Sequence, residues 1–240
     1  MKLNTAFKVY EFDTIDSTND FCKSLAIKGE KNAIVIAREQ TKGKGRLNRS
    51  FYSPKDSGIY MSILLTPDLK PEDSTLITTA AAVAVSLAID KISGRKSFIK
   101  WVNDIYMDGK KVCGILTESC FKGSDYRAVL GIGINLYTST FPDDIKDKAG
   151  SLFSEENDLK ESLINSVLSN FFEIYNTLPK KEYMKIYKEK SMLIGKRVSF
   201  IKDNIKYFGT VSEITDSAEI VIKSEEETIT LFAGEVSLEI

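Results

Sequence analysis

The chain has 240 residues, 42% of them hydrophobic and 28% charged, which is the composition of an ordinary globular protein with room for one large domain and a small second module. Its formal net charge of −1 excludes a global attraction to nucleic acid or to an anionic membrane, so any anion site must be local. There is no histidine, which removes Ser-His-Asp and Cys-His catalysis, and the 3 cysteines lack CxxC spacing, so no metal-ligand set is assigned directly.

Met1 to Tyr10 lacks the apolar core of a signal peptide, and a cytoplasmic protein is expected. Ser17-Thr18-Asn19-Asp20 predicts a helix start, with Ser17 as the cap and Asp20 in the reciprocal position, and Gly29 as the stop. A strand follows at Ala33 to Ala37. The segment from Thr41 to Ser50 then has almost no apolar anchor, and it is expected to be mobile without a ligand because its like charges crowd one another. Gly58 to Leu65 is β-rich. Ser74 opens an Ala-rich helix running to Ile92, whose apolar stretch falls short of the ~18 residues a membrane span needs.

Strands are predicted at Ser97 to Trp101, Ile105 to Met107, Lys111 to Thr117 and Tyr126 to Asn135, with Asp108-Gly109 as a hairpin turn. Helical patterns cover Asp158 to Leu178 and Lys180 to Lys190, separated by Pro179. After Ser191 the texture changes to short strands divided by polar turns such as Lys202-Asp203-Asn204 and Ser224 to Glu227. The expected architecture is α+β: a catalytic domain over 1–190, built on a mixed sheet flanked by helices, and a small SH3-like β-barrel over 191–240. A chain ending near Lys190 is expected to keep its fold.

Three stretches carry candidate chemistry. In Gly43 to Arg49 the glycines let backbone N–H groups converge on an anion, and Lys44, Arg46 and Arg49 add charge; a solvated basic linker would look the same. Asn103 and Asp104 either face a ligand or cap a turn, and Lys110 and Lys111 after the Asp108-Gly109 turn either reach a site or are exposed hairpin charge. Gly131 and Gly133 occupy alternate strand positions, where a ligand approaches closely or a bulge forms. The run Lys180, Lys181, Lys185, Lys188 and Lys190 is a solvated helix face or a steering patch. Cys22, Cys113 and Cys120 read as packed, reduced thiols.

In this order and spacing, these stretches resemble the biotin–protein ligases. Ser17-Thr18-Asn19 is similar to the family's early STN element. Glu39 to Arg46, with Ser53-Pro54, resembles its Gln-x-x-GRGR loop and the Ser-Pro that follows. Lys100 to Asp104 resembles KWPND, Lys111 to Leu116 resembles KxxGIL, and Gly131 to Asn135 resembles GxGIN. The chain departs from the pattern at Lys44 (usually Arg), Asn48 (often Gly), Phe51 (commonly Trp) and Val102 (usually Pro); Asn48 still tolerates positive φ.

The resemblance implies a class II synthetase-like fold and an enzyme that forms biotinyl-5′-AMP from biotin and ATP, with Mg²⁺ on the triphosphate. The biotin would then pass to a lysine of a biotin carboxyl carrier protein. It implies a biotin site made by Ser17, Thr18, Asn19, Gln40, Gly43, Lys44, Gly45, Arg46, Lys111 and Gly114, with Gly131 and Gly133 as the floor. Arg46, Arg49, Phe51, Asn103, Asp104, Lys111 and Asn135 would meet the nucleotide. Lys111 and Arg46 are the expected catalytic cations, and Asp104 is the candidate base for lysine attack. A monofunctional form without a DNA-binding domain is expected, as is pairing of copies through sheet edges. A lipoate–protein ligase shares this fold and adenylation logic, but the Gly43-Lys44-Gly45-Arg46 loop and Lys111-x-x-Gly114 favour biotin. A nucleic-acid-binding module is the rival from another class, and the near-zero net charge argues against it.

Overall fold

Alternation of Tyr10 and Phe12 with Glu11 and Asp13 makes an edge strand that the sequence reading passed over: β1, Lys8–Ile15. The computed structural model describes residues 7–202, 205–225 and 227–239. Helix α1 (Thr18–Lys28) begins where Ser17 Oγ accepts from the Asp20 backbone N–H, and Gly29, at φ 98°, ends it. The Asp20 carboxylate does not complete the capping box; it takes Lys44 Nζ at 2.6 Å.

Strands β2 (Ala33–Gln40) and β3 (Gly58–Leu65) follow, then the 20-residue helix α2 (Ser74–Ser93). By length and composition Pro71–Ser93 could cross a membrane, but 72% of its most apolar window is buried inside the fold, as in a core helix. Next come β4 (Phe98–Lys100), β5 (Asp104–Met107), β6 (Lys110–Lys122) and β7 (Asp125–Asn135). Asp108 (φ 52°) and Gly109 (φ 75°) form the expected tight turn between β5 and β6. Helices α3 (Lys160–Tyr175) and α4 (Met184–Glu189) are shorter than the periodicity predicts, because a 3₁₀ turn at Leu178–Lys180 and Lys181 at φ 57° interrupt the second helix.

The seven strands form one sheet in the order β1-β2-β3-β7-β6-β5-β4, with only β1 and β2 parallel. Strand alternation sends side chains to two faces. Ala33, Val35, Leu64 and Val129 pack with α1, whereas Ile34, Ile63, Leu65, Ala128 and Leu130 join the larger cluster around α2 and α3.

The C-terminal strands are β8 (Arg197–Lys202), β9 (Ile205–Ile214), β10 (Ile220–Lys223), β11 (Thr228–Leu231) and β12 (Val236–Leu238). They form an antiparallel sheet in the order β11-β10-β9-β8-β12. Among the described residues β11 and β12 do not pair, so in place of the expected barrel the second unit is an open antiparallel sheet with edge strands of 4 and 3 residues. The turn residues Asp203 and Asn204, and Glu226 of the next turn, lie outside the described residues.

The buried core does not stop at residue 190. Val198, Val211, Ile214, Ile220 and Val236 belong to the same apolar cluster as α2, Trp101 and Tyr187. The Trp101 indole N–H donates to the Ala218 carbonyl at 2.8 Å, and the Tyr187 hydroxyl to the Val102 carbonyl at 3.0 Å. The basic run is largely tied internally: Lys188 pairs with Asp216 at 2.5 Å, Lys190 with Asp90 at 2.6 Å, and Lys181 reaches Ser217 at 3.4 Å.

Candidate active site

On the α1 face of the sheet, three glycines remove the side chains that would fill it. Gly133 pairs with Gly114 across β6 and β7, and Gly131 pairs with Ser62 across β3 and β7. The result is a hollow of about 490 Å³, within the usual range for a small-molecule site. A Cβ at Gly131 would lie 2.3 Å from Asn19 Oδ1, and one at Gly133 would lie 2.5 Å from the Phe51 ring, so both positions need glycine for close approach.

The closed end of the hollow is polar. Ser17, Thr18 and Asn19, in the first turn of α1, are buried there. Gln40 Oε1 accepts from the Thr18 backbone N–H at 2.9 Å and from its hydroxyl at 3.0 Å, while Gln40 Nε2 donates to Ser53 Oγ. Lys44, Arg46, Arg49, Lys100 and Lys111 line the same hollow.

The loop between β2 and β3 covers the hollow in a definite shape. Lys44 and Ser50 form an isolated bridge, the Gly45 N–H donates to the Arg49 carbonyl at 2.7 Å, and Leu47 and Asn48 take φ of 54° and 60°. The expected crowding of like charge is absent, because each cation has its own partner. Lys42 meets Asp16, Lys44 meets Asp20, Arg46 donates to Asn103 Oδ1 and the Gly234 carbonyl, and Arg49 meets Glu235. A sequence reading counts the loop's own charges and misses acids that lie far away along the chain.

Lys111, at the start of β6, places Nζ 2.7 Å from Asp104 Oδ1. The pair is close but misaligned for a hydrogen bond, and that buried carboxylate oxygen has no hydrogen-bond partner. Lys100 also faces the cavity; burial lowers its pKa, opposed by Asp104 and Glu235. Asn103 Nδ2 donates to the Ile115 carbonyl and Asn135 Nδ2 to the Gly150 carbonyl, which fixes both amides. Burial pushes the Cys22 and Cys113 thiols up, keeping both protonated.

Of the expected site residues, Ser17, Thr18, Asn19, Gln40, Lys44, Gly45, Arg46, Arg49, Phe51, Asn103, Asp104, Lys111, Gly114, Gly131, Gly133 and Asn135 all line this one cavity. Gly43 does not. It packs against the loop's own return, where a Cβ would meet the Phe51 carbonyl at 2.3 Å. Phe51 lies across the glycine floor beside Gly114 and Gly133.

Two further segments that carry no motif line the cavity. Phe141, Ile145, Lys148 and Ala149 come from an irregular segment without periodicity, tied to β6 by the Lys111 N–H to the Lys148 carbonyl. Glu235, Val236 and Ser237 come from the C-terminal sheet, a unit that the family resemblance leads one to expect over the site, though without naming these residues. Among the described residues no group of three or more acidic, histidine or cysteine side chains could hold a metal ion.

Fold and site together define an α+β domain with one small-molecule hollow lined by apolar, polar and cationic side chains. The Biotin/lipoate A/B protein ligase family matches residues 11–135, and the chain belongs to it. The chain is 31% identical over 235 residues to the bifunctional ligase/repressor BirA of Bacillus spizizenii, covering 94% of this chain and 72% of that one. It is 36% identical to the biotin–[acetyl-CoA-carboxylase] ligase of Paracoccus denitrificans over 50% of this chain and 51% of that protein. Among solved structures, the biotin protein ligase of Aquifex aeolicus, in complex with biotin and ATP, superposes with a TM-score of 0.83 at 28% identity, covering 97% of this chain and 98% of that one.

Proposed function

We propose that this chain is an ATP-dependent biotin–protein ligase acting in the cytoplasm, with a catalytic unit over 1–190 and an accessory unit over 191–240. The observation that carries the reading is the convergence of Lys44, Arg46, Arg49 and Lys111 on one cavity whose floor is Gly114, Gly131 and Gly133. The biotin ring system would take the place of the Phe51 ring on the glycine floor, that ring moving to the nucleoside; the biotin ureido group would lie at the Thr18–Asn19–Gln40 end and the carboxylate toward Lys111.

In the first step, a biotin carboxylate oxygen attacks the α-phosphorus of ATP. A C–O–P bond forms, the bond to the β-phosphate breaks, and pyrophosphate leaves. The reaction brings two anions together, and the protein's task is to position them and stabilise the growing charge, which requires no histidine. Lys111 would bridge the carboxylate and the α-phosphate. Arg46 and Arg49 would exchange their protein partners for phosphate oxygens, while Asn103, Asn135 and Phe51 would hold the nucleoside. Mg²⁺ fits as a companion of ATP, since it keeps few protein ligands; the Asp104 oxygen without a hydrogen-bond partner is the protein donor offered, and the ion would neutralise triphosphate charge. In the second step, an acceptor lysine amine attacks the anhydride carbonyl, an amide forms and AMP leaves.

The test is intact-mass analysis of a purified biotin carboxyl carrier domain incubated with the protein, biotin and MgATP. One added biotin on the carrier lysine supports the reading. An unmodified carrier, or equal modification with lipoate, refutes it.

A further inference from the structure

At the closed end of the cavity, the hydrogen bonds form one chain with two fixed ends. At the far end, Ser53 Oγ donates to the Phe51 carbonyl and receives Gln40 Nε2. At the near end stands Glu118 on β6, which lines none of the cavity. Its Oε2 accepts Asn19 Nδ2 at 2.8 Å, and its Oε1 meets Lys23 Nζ at 2.6 Å. A carboxylate only accepts, so it compels the Asn19 amide to present its N–H₂ to Glu118 and its Oδ1 to Ser62 and Gly131. Asn19 is 5% exposed and Ser62 0%, so apart from the cavity itself the Asn19 amide has only these protein partners to satisfy it.

Ser62 Oγ lies 2.6 Å from Asn19 Oδ1 and 2.7 Å from Thr18 Oγ1, but it has a single proton to give. The Thr18 proton is already directed to Gln40 Oε1. One of these two acceptors is therefore left without a donor from the chain, and an N–H or O–H of a bound molecule can complete it. A cyclic urea brings two.

We infer that Glu118 is a positioning residue for the biotin ureido group, acting through the Asn19 amide that it orients, with Lys23 holding its other oxygen. The inference rests on the proposed function and deepens it: Glu118 fixes which way the donor–acceptor pattern at the closed end runs.

Glu118→Gln tests this. Lys23 is a donor only, so the introduced carboxamide turns its carbonyl to Lys23 and its N–H₂ to Asn19. The Asn19 amide then flips, and a donor replaces the acceptor that the ureido N–H meets. The KM for biotin in ATP–pyrophosphate exchange should rise ~10- to 100-fold, the effect of leaving a buried polar group without its partner. The kcat and the KM for ATP should stay within about twofold, the pattern of lost uniform binding. Adding Lys23→Met frees the carboxamide carbonyl to face Asn19 again and should restore the KM for biotin, whereas two merely structural lesions would compound.

An independent readout needs no ligand. The Asn19 side-chain N–H₂ resonance of the free protein, assigned by its loss in Asn19→Asp, should shift in Glu118→Gln and return in the double variant. An unchanged KM for biotin, a fall in kcat instead, or no rescue overturns the inference. Absence of biotin-dependent exchange in the wild type would instead refute the proposed function, and the resonance arm would still decide whether Glu118 orients Asn19.

Discussion

Lys111→Ala removes the cation that the mechanism places between two reacting anions. Its side chain is 32% exposed and that of its partner Asp104 is 21% exposed, so the site is neither dry nor fully solvated. A unit charge ~4 Å from a phosphate oxygen at an effective dielectric constant of ~20 contributes about 4 kcal/mol. Solvent access and the neighbouring Arg46 reduce this, giving about 2.7–4 kcal/mol, or a ~10²–10³-fold loss of adenylate formation. The fold should survive: Asp104 loses an ion pair that was not a hydrogen bond, and the cavity admits water to it. The assay is ATP–pyrophosphate exchange at saturating biotin, with a thermal melt to check folding. Lys110→Ala is the internal control, because Lys110 is exposed and its ammonium donates to the Lys146 carbonyl at 3.3 Å, away from the cavity lining. Exchange in folded Lys111→Ala within about threefold of wild type, well short of the loss expected for a transition-state cation, would refute the role assigned to it.

Gly133→Ala places a methyl 2.5–2.9 Å from the Phe51 ring and should raise the KM for biotin, and adding Phe51→Ala should recover part of the loss; equal kinetics in Gly133→Ala and wild type would show that the floor is not used. Glu235→Gln weakens the hold on Arg49, so trypsin should cut the loop faster than in wild type; biotin plus ATP should protect it and lipoate plus ATP should not, as read by the rate of fragment appearance on a gel. Truncation after residue 190 uncovers the shared core and leaves the Trp101 N–H without Ala218, so the emission of the single tryptophan should shift to the red and cooperative melting should be lost. A native-like melt of the truncated chain would contradict that expectation.

The elements legible in the sequence were those whose signal is local. The Ser17 cap, the Gly29 stop, the Asp108-Gly109 turn and the apolar run of α2 depend on neighbours a few residues away, and each forms where it was expected. The site residues were legible because glycines and cations recur in a particular order, although Gly43 turned out to shape the loop and not the cavity. What escaped depends on distant partners. The cations at Lys44 and Arg49 are neutralised by Asp20 and Glu235, and the core of the C-terminal sheet joins that of the larger sheet through Trp101 and Tyr187. The strand β1 lacks the apolar run that marks β2 and β3, because at the sheet edge none of its residues is buried.

Biotin-dependent ATP–pyrophosphate exchange tests the central claim most directly, because it isolates carboxylate activation from acceptor recognition. Purified protein should exchange labelled pyrophosphate into ATP when biotin is present, and neither without it nor with lipoate in its place. Exchange that is independent of biotin, or that lipoate supports equally, would contradict the account.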